Sequence, residues 1–162
     1  MNRTSWAWSG SAILFAALYG GVPLAGLAID RAVGLSPLPL AVRLVGPALL
    51  FAGAAGLIWC FALFAKAGGT PNPVMPPEQL VTAGPYAWTR NPIAGSHFLA
   101  VLGVALIVGS PAAVAITFLL GIPADLVVRR EEQGLASRFG DAYRTYRASV
   151  PRWIPRIPKR QS

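Results

Sequence analysis

Charge is what this sequence has least of. Only 12% of its 162 residues are Asp, Glu, Lys or Arg, against roughly a quarter in soluble domains, which excludes an ordinary soluble globular domain. A single cysteine, Cys60, excludes a disulfide framework. With only one histidine, His97, beside it, no ligand set of the zinc type can be assembled, and no metal site is expected. Cys60 falls inside an apolar run, where a small buried side chain is the expectation. Gly68-Gly69-Thr70-Pro71 is glycine-rich, but it follows a helix and precedes prolines, so it matches neither a P-loop nor a dinucleotide fingerprint. Acids number six, and two of them, Glu131 and Glu132, are adjacent.

What the chain does have is apolar length. Hydrophobic residues make up 54% of it and the mean hydropathy is +0.54, the profile of an integral membrane protein whose length suits one domain over 1–162. Four apolar stretches stand out, at about 11–29, 44–65, 93–109 and 111–128. A spanning helix needs about 20 residues, so the last two are short and should extend into their flanks. The run after Arg3 is longer than the roughly 7–15-residue core of a signal peptide and holds Tyr19-Gly20-Gly21 and Pro23, so it is expected to be retained as the first span. Gly109-Ser110-Pro111 predicts a tight turn, with Ser110 as N-cap and Pro111 at the first helical position. The expected fold is all-α: four transmembrane helices, then a cytoplasmic amphipathic C-terminal helix within 129–162.

Nine of the fourteen basic residues lie from Arg129 onward. With four spans, the N-terminus, the loop after the second span and the C-terminus hold twelve Lys and Arg, and the opposite side holds Arg31 and Arg43. The positive-inside rule makes the first side cytoplasmic. Twelve Arg against two Lys, with abundant Ala and Gly, hints at a GC-rich bacterial genome and hence a bacterial inner membrane. A basic end after an apolar run suits anionic lipid; no soluble basic domain exists to carry nucleic-acid binding.

Two polar, aromatic segments border the apolar runs, 80–92 and 129–151. The loop from Lys66 to Pro92 holds six prolines; so long a loop is either functional or a Pro-rich connection. Arg90 is either an anchor at the lipid interface or a partner for an acid. Asn91 brings two donors and an acceptor to the membrane boundary, and Pro92 fits a first helical turn. Tyr86 and Trp88 suit the interfacial aromatic belt or the wall of a ligand pocket. Read as one helix, Glu131 shares a stripe with Leu135, Phe139, Tyr143, Tyr146 and Val150, and Glu132 lies about 100° away. That phase turns Glu131 inward, where it needs Arg90, a ligand cation or ligand hydroxyls as partner; the alternative is that both glutamates are solvated and balance Arg129 and Arg130. His97, one turn into the third span, is a functional candidate by position or one side of a helix–helix hydrogen bond. Asp125 is four residues before Arg129, which makes an ion pair available.

At these residues the chain resembles the isoprenylcysteine carboxyl methyltransferases. Leu80-Val81-Thr82-Ala83-Gly84-Pro85-Tyr86-Ala87-Trp88-Thr89-Arg90-Asn91-Pro92 is similar to that family's first signature. Glu131-Glu132, Leu135, Phe139-Gly140, Tyr143, Tyr146 and Val150-Pro151 are similar to its second, and the phosphatidylethanolamine N-methyltransferases share the paired glutamates. The resemblance covers about half the chain. It implies a membrane-embedded, S-adenosylmethionine-dependent methyltransferase whose lipophilic substrate enters from the bilayer and whose cofactor pocket is closed by the C-terminal segment. Carried over, Gln79, Leu80 and Val81 border the cofactor and Tyr86 walls it. Arg90, Asn91, Pro92, Ile93 and Ala94 form the next contacting stretch, and Glu131 matches the cofactor-binding glutamate. Asn91 stands where the eukaryotic enzymes have histidine, Ala94 where tyrosine is frequent, and Val127 where the family has a substrate-contacting arginine. No residue is assigned as a catalytic base, because the activated methyl is the cofactor's own. The alternatives are a membrane reductase using NADPH, which sterol reductases suggest by their C-terminal halves, and a non-catalytic four-helix membrane protein.

Overall fold

The computed structural model describes residues 13–67 and 79–156. The head of the first expected span at Ser11, and Gly68-Gly69-Thr70-Pro71, lie outside the described residues. Among those described there is no strand. Helix α1 is Ile13–Val33, α2 is Leu40–Lys66, α3 is Pro92–Val108 and α4 is Pro111–Ser149. Helices α1, α2 and α4 are each long and apolar enough to cross a membrane, which makes this an integral membrane protein. Helix α3 is as apolar as expected, but its 17 residues rise only about 25 Å, short of a hydrocarbon core of roughly 30 Å.

Two boundaries differ from expectation. Helix α1 does not stop at 29 before Asp30-Arg31; it runs on to Val33. Asp30 is tolerated there because its Oδ1 accepts the Ala112 N–H at 3.0 Å. Nor does the chain break between 128 and 129. Helix α4 continues to Ser149, and its one non-helical residue is Gly140 at φ 54°, a left-handed conformation that glycine adopts without penalty.

The described chain packs as two compact units, with boundaries that fall inside α2, α3 and α4. In the first, formed by residues 13–54 and 96–123, helices meet at small residues. A Cβ added to Gly26 would sit 2.5 Å from that of Ala113, and one added to Gly103 would sit 2.5 Å from the Leu50 nitrogen. In lipid, where no hydrophobic drive separates helix from solvent, such close backbone approach supplies the dispersion contact that holds helices together. The helix ends of this unit are capped as the turn residues predict. Ser110 Oγ accepts the Ala113 N–H at 3.0 Å, alongside the Asp30 bond to Ala112. Arg43 donates from Nε and Nη2 to the Ile107 carbonyl at 3.2 and 3.1 Å, closing the C-terminus of α3. A π turn at Ala17–Gly21 precedes Pro23, whose missing N–H removes a regular helix bond. The Tyr19 hydroxyl lies 2.9 Å from His97 Nδ1, with the Phe15 ring edge-on to the imidazole. His97 therefore makes the helix–helix hydrogen bond that was one of its two readings.

Candidate functional site

The second unit, Ala55–Gly95 with Ala124–Ser162, holds both polar segments. The first segment is seated by aromatic contacts on the C-terminal half of α2. A 3-10 turn at Gly84–Ala87 places Tyr86 edge-on to Phe64 and Trp88 edge-on to Trp59, with centroids 5.7 and 5.6 Å apart. Such offset pairs add to the area they bury. Tyr86 and Cys60 are both buried. Burial is the main cause that pushes the Tyr86 phenol far above its ordinary range, with Cys60, Tyr146 and Glu131 adding to it.

The second segment is the polar half of α4. Val128 and Glu132 are buried on it, Leu135, Ala136 and Phe139 are partly buried, and beyond Gly140 the cluster is closed by Tyr143, Tyr146 and Val150. Leu80 of the first segment packs against that same cluster. The Tyr146 hydroxyl donates to the Tyr86 carbonyl at 2.7 Å, a direct bond from one segment to the other.

This arrangement reverses the expected burial of the two glutamates. Glu132 is the inward one, 5% exposed, and Glu131 is exposed. The expected stripe stepped by fours from Glu131 to Phe139, and eight residues at 100° each drift about 80° off a single face. Counting back from Phe139 through Ala136 leads to Glu132 and Val128 instead, and Gly140 resets the phase before Tyr143.

A buried carboxylate persists only where its charge is met. Arg152 donates to Glu132 through Nε at 3.1 Å and Nη2 at 2.8 Å, a two-pronged contact. Asn91 Nδ2 adds a bond to Oε1 at 3.4 Å. Arg90 Nε lies 3.3 Å from that oxygen, but without hydrogen-bond alignment. It and the Tyr143 hydroxyl are buried polar atoms with no hydrogen-bond partner among the described residues. Burial pushes the Glu132 carboxyl up, but the Arg152 hydrogen bond, the charges of Arg90 and Arg152 and the Asn91 amide outweigh it and hold the group below its usual range. Glu131 goes the other way: burial among surrounding protein, and then the neighbouring Glu132 charge, raise it. Its surface is open to solvent while protein surrounds it on its other sides.

The residues after α4 fold back over the first segment. The Arg90 N–H donates to Pro151 O at 2.9 Å, Thr89 Oγ1 to Arg152 O at 2.7 Å, and the Arg156 N–H to Trp88 O at 2.9 Å. Asp125 accepts from Arg129 Nε at 2.6 Å, the ion pair available from their spacing, and also from Trp153 Nε1 at 2.9 Å. The segment 151–156 is therefore fastened at both edges.

Of the residues expected to border a cofactor, Arg90 and Asn91 are brought to Glu132 and Arg152, and Tyr86 is bonded to Tyr146. Pro92 is buried at the start of α3, Ile93 and Ala94 are half-buried, Leu80 and Val81 are half-buried and Gln79 is exposed. Glu131 makes no hydrogen bond among the described residues. Sequence reading missed Arg152, Thr89 and Trp153. Arg152 lies 20 residues from its partner Glu132 across a helix break, so no periodic signal could connect them. A cavity of about 220 Å³ opens beside the network, lined by Arg129, Glu132, Gln133, Ala136, Arg147 and Arg152. None of the residues expected to border a cofactor lines it.

Residues 42–142 match the family described as phospholipid methyltransferase. The chain is 33% identical over 126 residues to the cobalt-zinc-cadmium resistance protein CzcN of Cupriavidus metallidurans, covering 76% of this chain and 52% of that protein. It is 36% identical over 80 residues to the protein-S-isoprenylcysteine O-methyltransferase of Schizosaccharomyces pombe, covering 49% of this chain and 34% of that enzyme. The chain thus spans about half the length of the first relative and a third of the second.

Proposed function

The chain belongs to the phospholipid methyltransferase family, and on that premise we propose that it transfers a methyl group from S-adenosylmethionine to a lipophilic acceptor at the cytoplasmic face of a bacterial inner membrane. The name of the fission-yeast relative supports the reaction class. The distribution of arginine supports the orientation, with both termini cytoplasmic. In this reading α3 also crosses the membrane, as the third of four spans, and the polar half of α4 runs along or beyond the cytoplasmic surface.

One observation carries the assignment of the site: of two adjacent glutamates, one is fully engaged by protein and the other is left open. S-adenosylmethionine supplies a methyl group activated on a cationic sulfonium. An unengaged carboxylate at Glu131, whose charge reaches the Tyr86 phenol, suits a ligand that carries sulfonium and ammonium charge. Glu131 holds that charge and Tyr86 walls the ligand. Gln79, Leu80 and Val81 border it, and Arg90, Asn91, Pro92, Ile93 and Ala94 form the floor that Glu132 and Arg152 keep in place. The residues of segment 151–156 exclude water. Aligning acceptor and methyl carbon in this way contributes at most roughly 7–11 kcal/mol. A carboxylate or thiolate acceptor needs no base from the protein, so none is assigned.

The test is S-adenosylmethionine binding by the detergent-purified protein. Glu131→Gln should weaken it about tenfold to a hundredfold, the worth of a hydrogen bond to a charged group, without destabilising the unliganded protein. Binding of NADPH in place of S-adenosylmethionine would replace the proposal with a reductase.

A further inference from the structure

The cavity beside Glu132 is lined by three arginines and one acid, and that acid is already spent. Glu132 is shared between Arg152 and Arg90, and Arg129 is paired with Asp125. Arg147 has no acidic partner among the described residues. Its wall therefore carries surplus positive charge and guanidinium donors in search of an acceptor, which suits a phosphate, the oxyanion that arginine forks match best. The volume of about 220 Å³ far exceeds the roughly 10–15 Å³ that one water needs, so a headgroup fits where a lone ion would rattle.

The same helical face says which phosphate. Arg129, Gln133 and Ala136 follow one another at spacings of four and three, and one turn earlier on that face is Leu126, 58% exposed. Running along α4, the face passes from exposed apolar surface to arginine within one turn, just where the apolar run ends. That order, hydrocarbon first and then cation, is the order of acyl chain and phosphate in a glycerophospholipid. We propose that this cavity is a binding site for the phosphate of an anionic membrane phospholipid, seated by Arg147 with Arg129 and Arg152 and distinct from the methyl-transfer site. It does not depend on the reaction proposed above.

Native mass spectrometry of the full chain, released from nanodiscs of mixed phosphatidylglycerol and phosphatidylcholine, tests it. The wild-type protein should retain phosphatidylglycerol preferentially. Arg147→Gln, at an exposed position, should cut that retention about fivefold, the value of one arginine near the phosphate plane. Arg144→Gln, which removes an exposed arginine already paired with Asp141, should leave it unchanged. Equal retention of both lipids, equal losses in the two variants, or no loss in Arg147→Gln would overturn the proposal. So would full displacement of the lipid by millimolar inorganic phosphate, which would make the site one for a free anion. S-adenosylmethionine binding measured on the same wild-type and Arg147→Gln proteins keeps the two proposals separable: its absence in the wild type would sink methyl transfer and leave the lipid result standing.

Discussion

Asp30 and Glu132 are both buried acids, 7% and 5% exposed, one in each compact unit, and they are held by opposite means. Asp30 accepts a backbone N–H at the start of α4, where the helix end already favours negative charge. No cation is needed, and the result is a well-ended helix. Glu132 is met by side chains from positions 90, 91 and 152, and without it three stretches of chain lose their common anchor. The first unit uses Asp30, Arg43 and Ser110 to finish helices; the second uses its charged groups to tie segments together and still has polar atoms left over.

The strongest test of that contrast is to remove each acid. Glu132→Leu leaves Arg90 and Arg152 without their shared counter-charge and should destabilise the protein by about 3–5 kcal/mol, the usual consequence of breaking one side of a buried ion pair. Chemical unfolding in mixed micelles measures it. Loss of protease resistance around residues 151–156 should accompany it, because Arg152 fastens that segment.

Asp30→Ala should have a smaller effect, about 1–2 kcal/mol, equal to a lost N-cap and its share of the helix dipole, with no change at residues 151–156. Ser110 still caps Ala113 in that variant, which limits the damage. Equal losses for Asp30→Ala and Glu132→Leu would erase the distinction between the units.

The legible part of this molecule was what depends on neighbours in sequence. The apolar runs gave the helices, Ser110-Pro111 gave the start of α4, and the spacing of Asp125 and Arg129 gave their ion pair. The two motifs pointed to the segments that meet. What could not be read was what depends on a break or a fold-back. Gly140 is one residue in a helical pattern, and nothing local says that it takes φ 54°. A stripe stepped by fours and carried across that break put the wrong glutamate inside. Arg152 follows a proline and pairs backward over a distance that no helical period encodes. Its role follows only once 151–156 is seen bonded to Thr89, Arg90 and Trp88.

The finest distinction lies between Glu131 and Glu132, neighbours whose carboxyls shift in opposite directions. Glu132 is held low when folded, so the stability it contributes is present above its unfolded pKa and is lost as pH falls through the folded value. Glu131 is held high, so the folded state keeps its proton better than the unfolded state. Its contribution is present below the unfolded pKa and fades as pH rises through the folded value. Unfolding measured from pH 2 to 7 should therefore show Glu132→Gln losing its share of the acid-induced drop in stability. Glu131→Gln should be slightly more stable than wild type at pH 7, by less than the Asp30 loss because the side chain is partly solvated. A less stable Glu131→Gln would mean that the protein itself pairs this carboxylate, and the division of labour between the glutamates would fail. Adding S-adenosylmethionine turns the comparison round. A cation seated against Glu131 favours its ionised form, so the liganded wild type is expected to overtake the liganded Gln variant, in proportion to the binding it has kept.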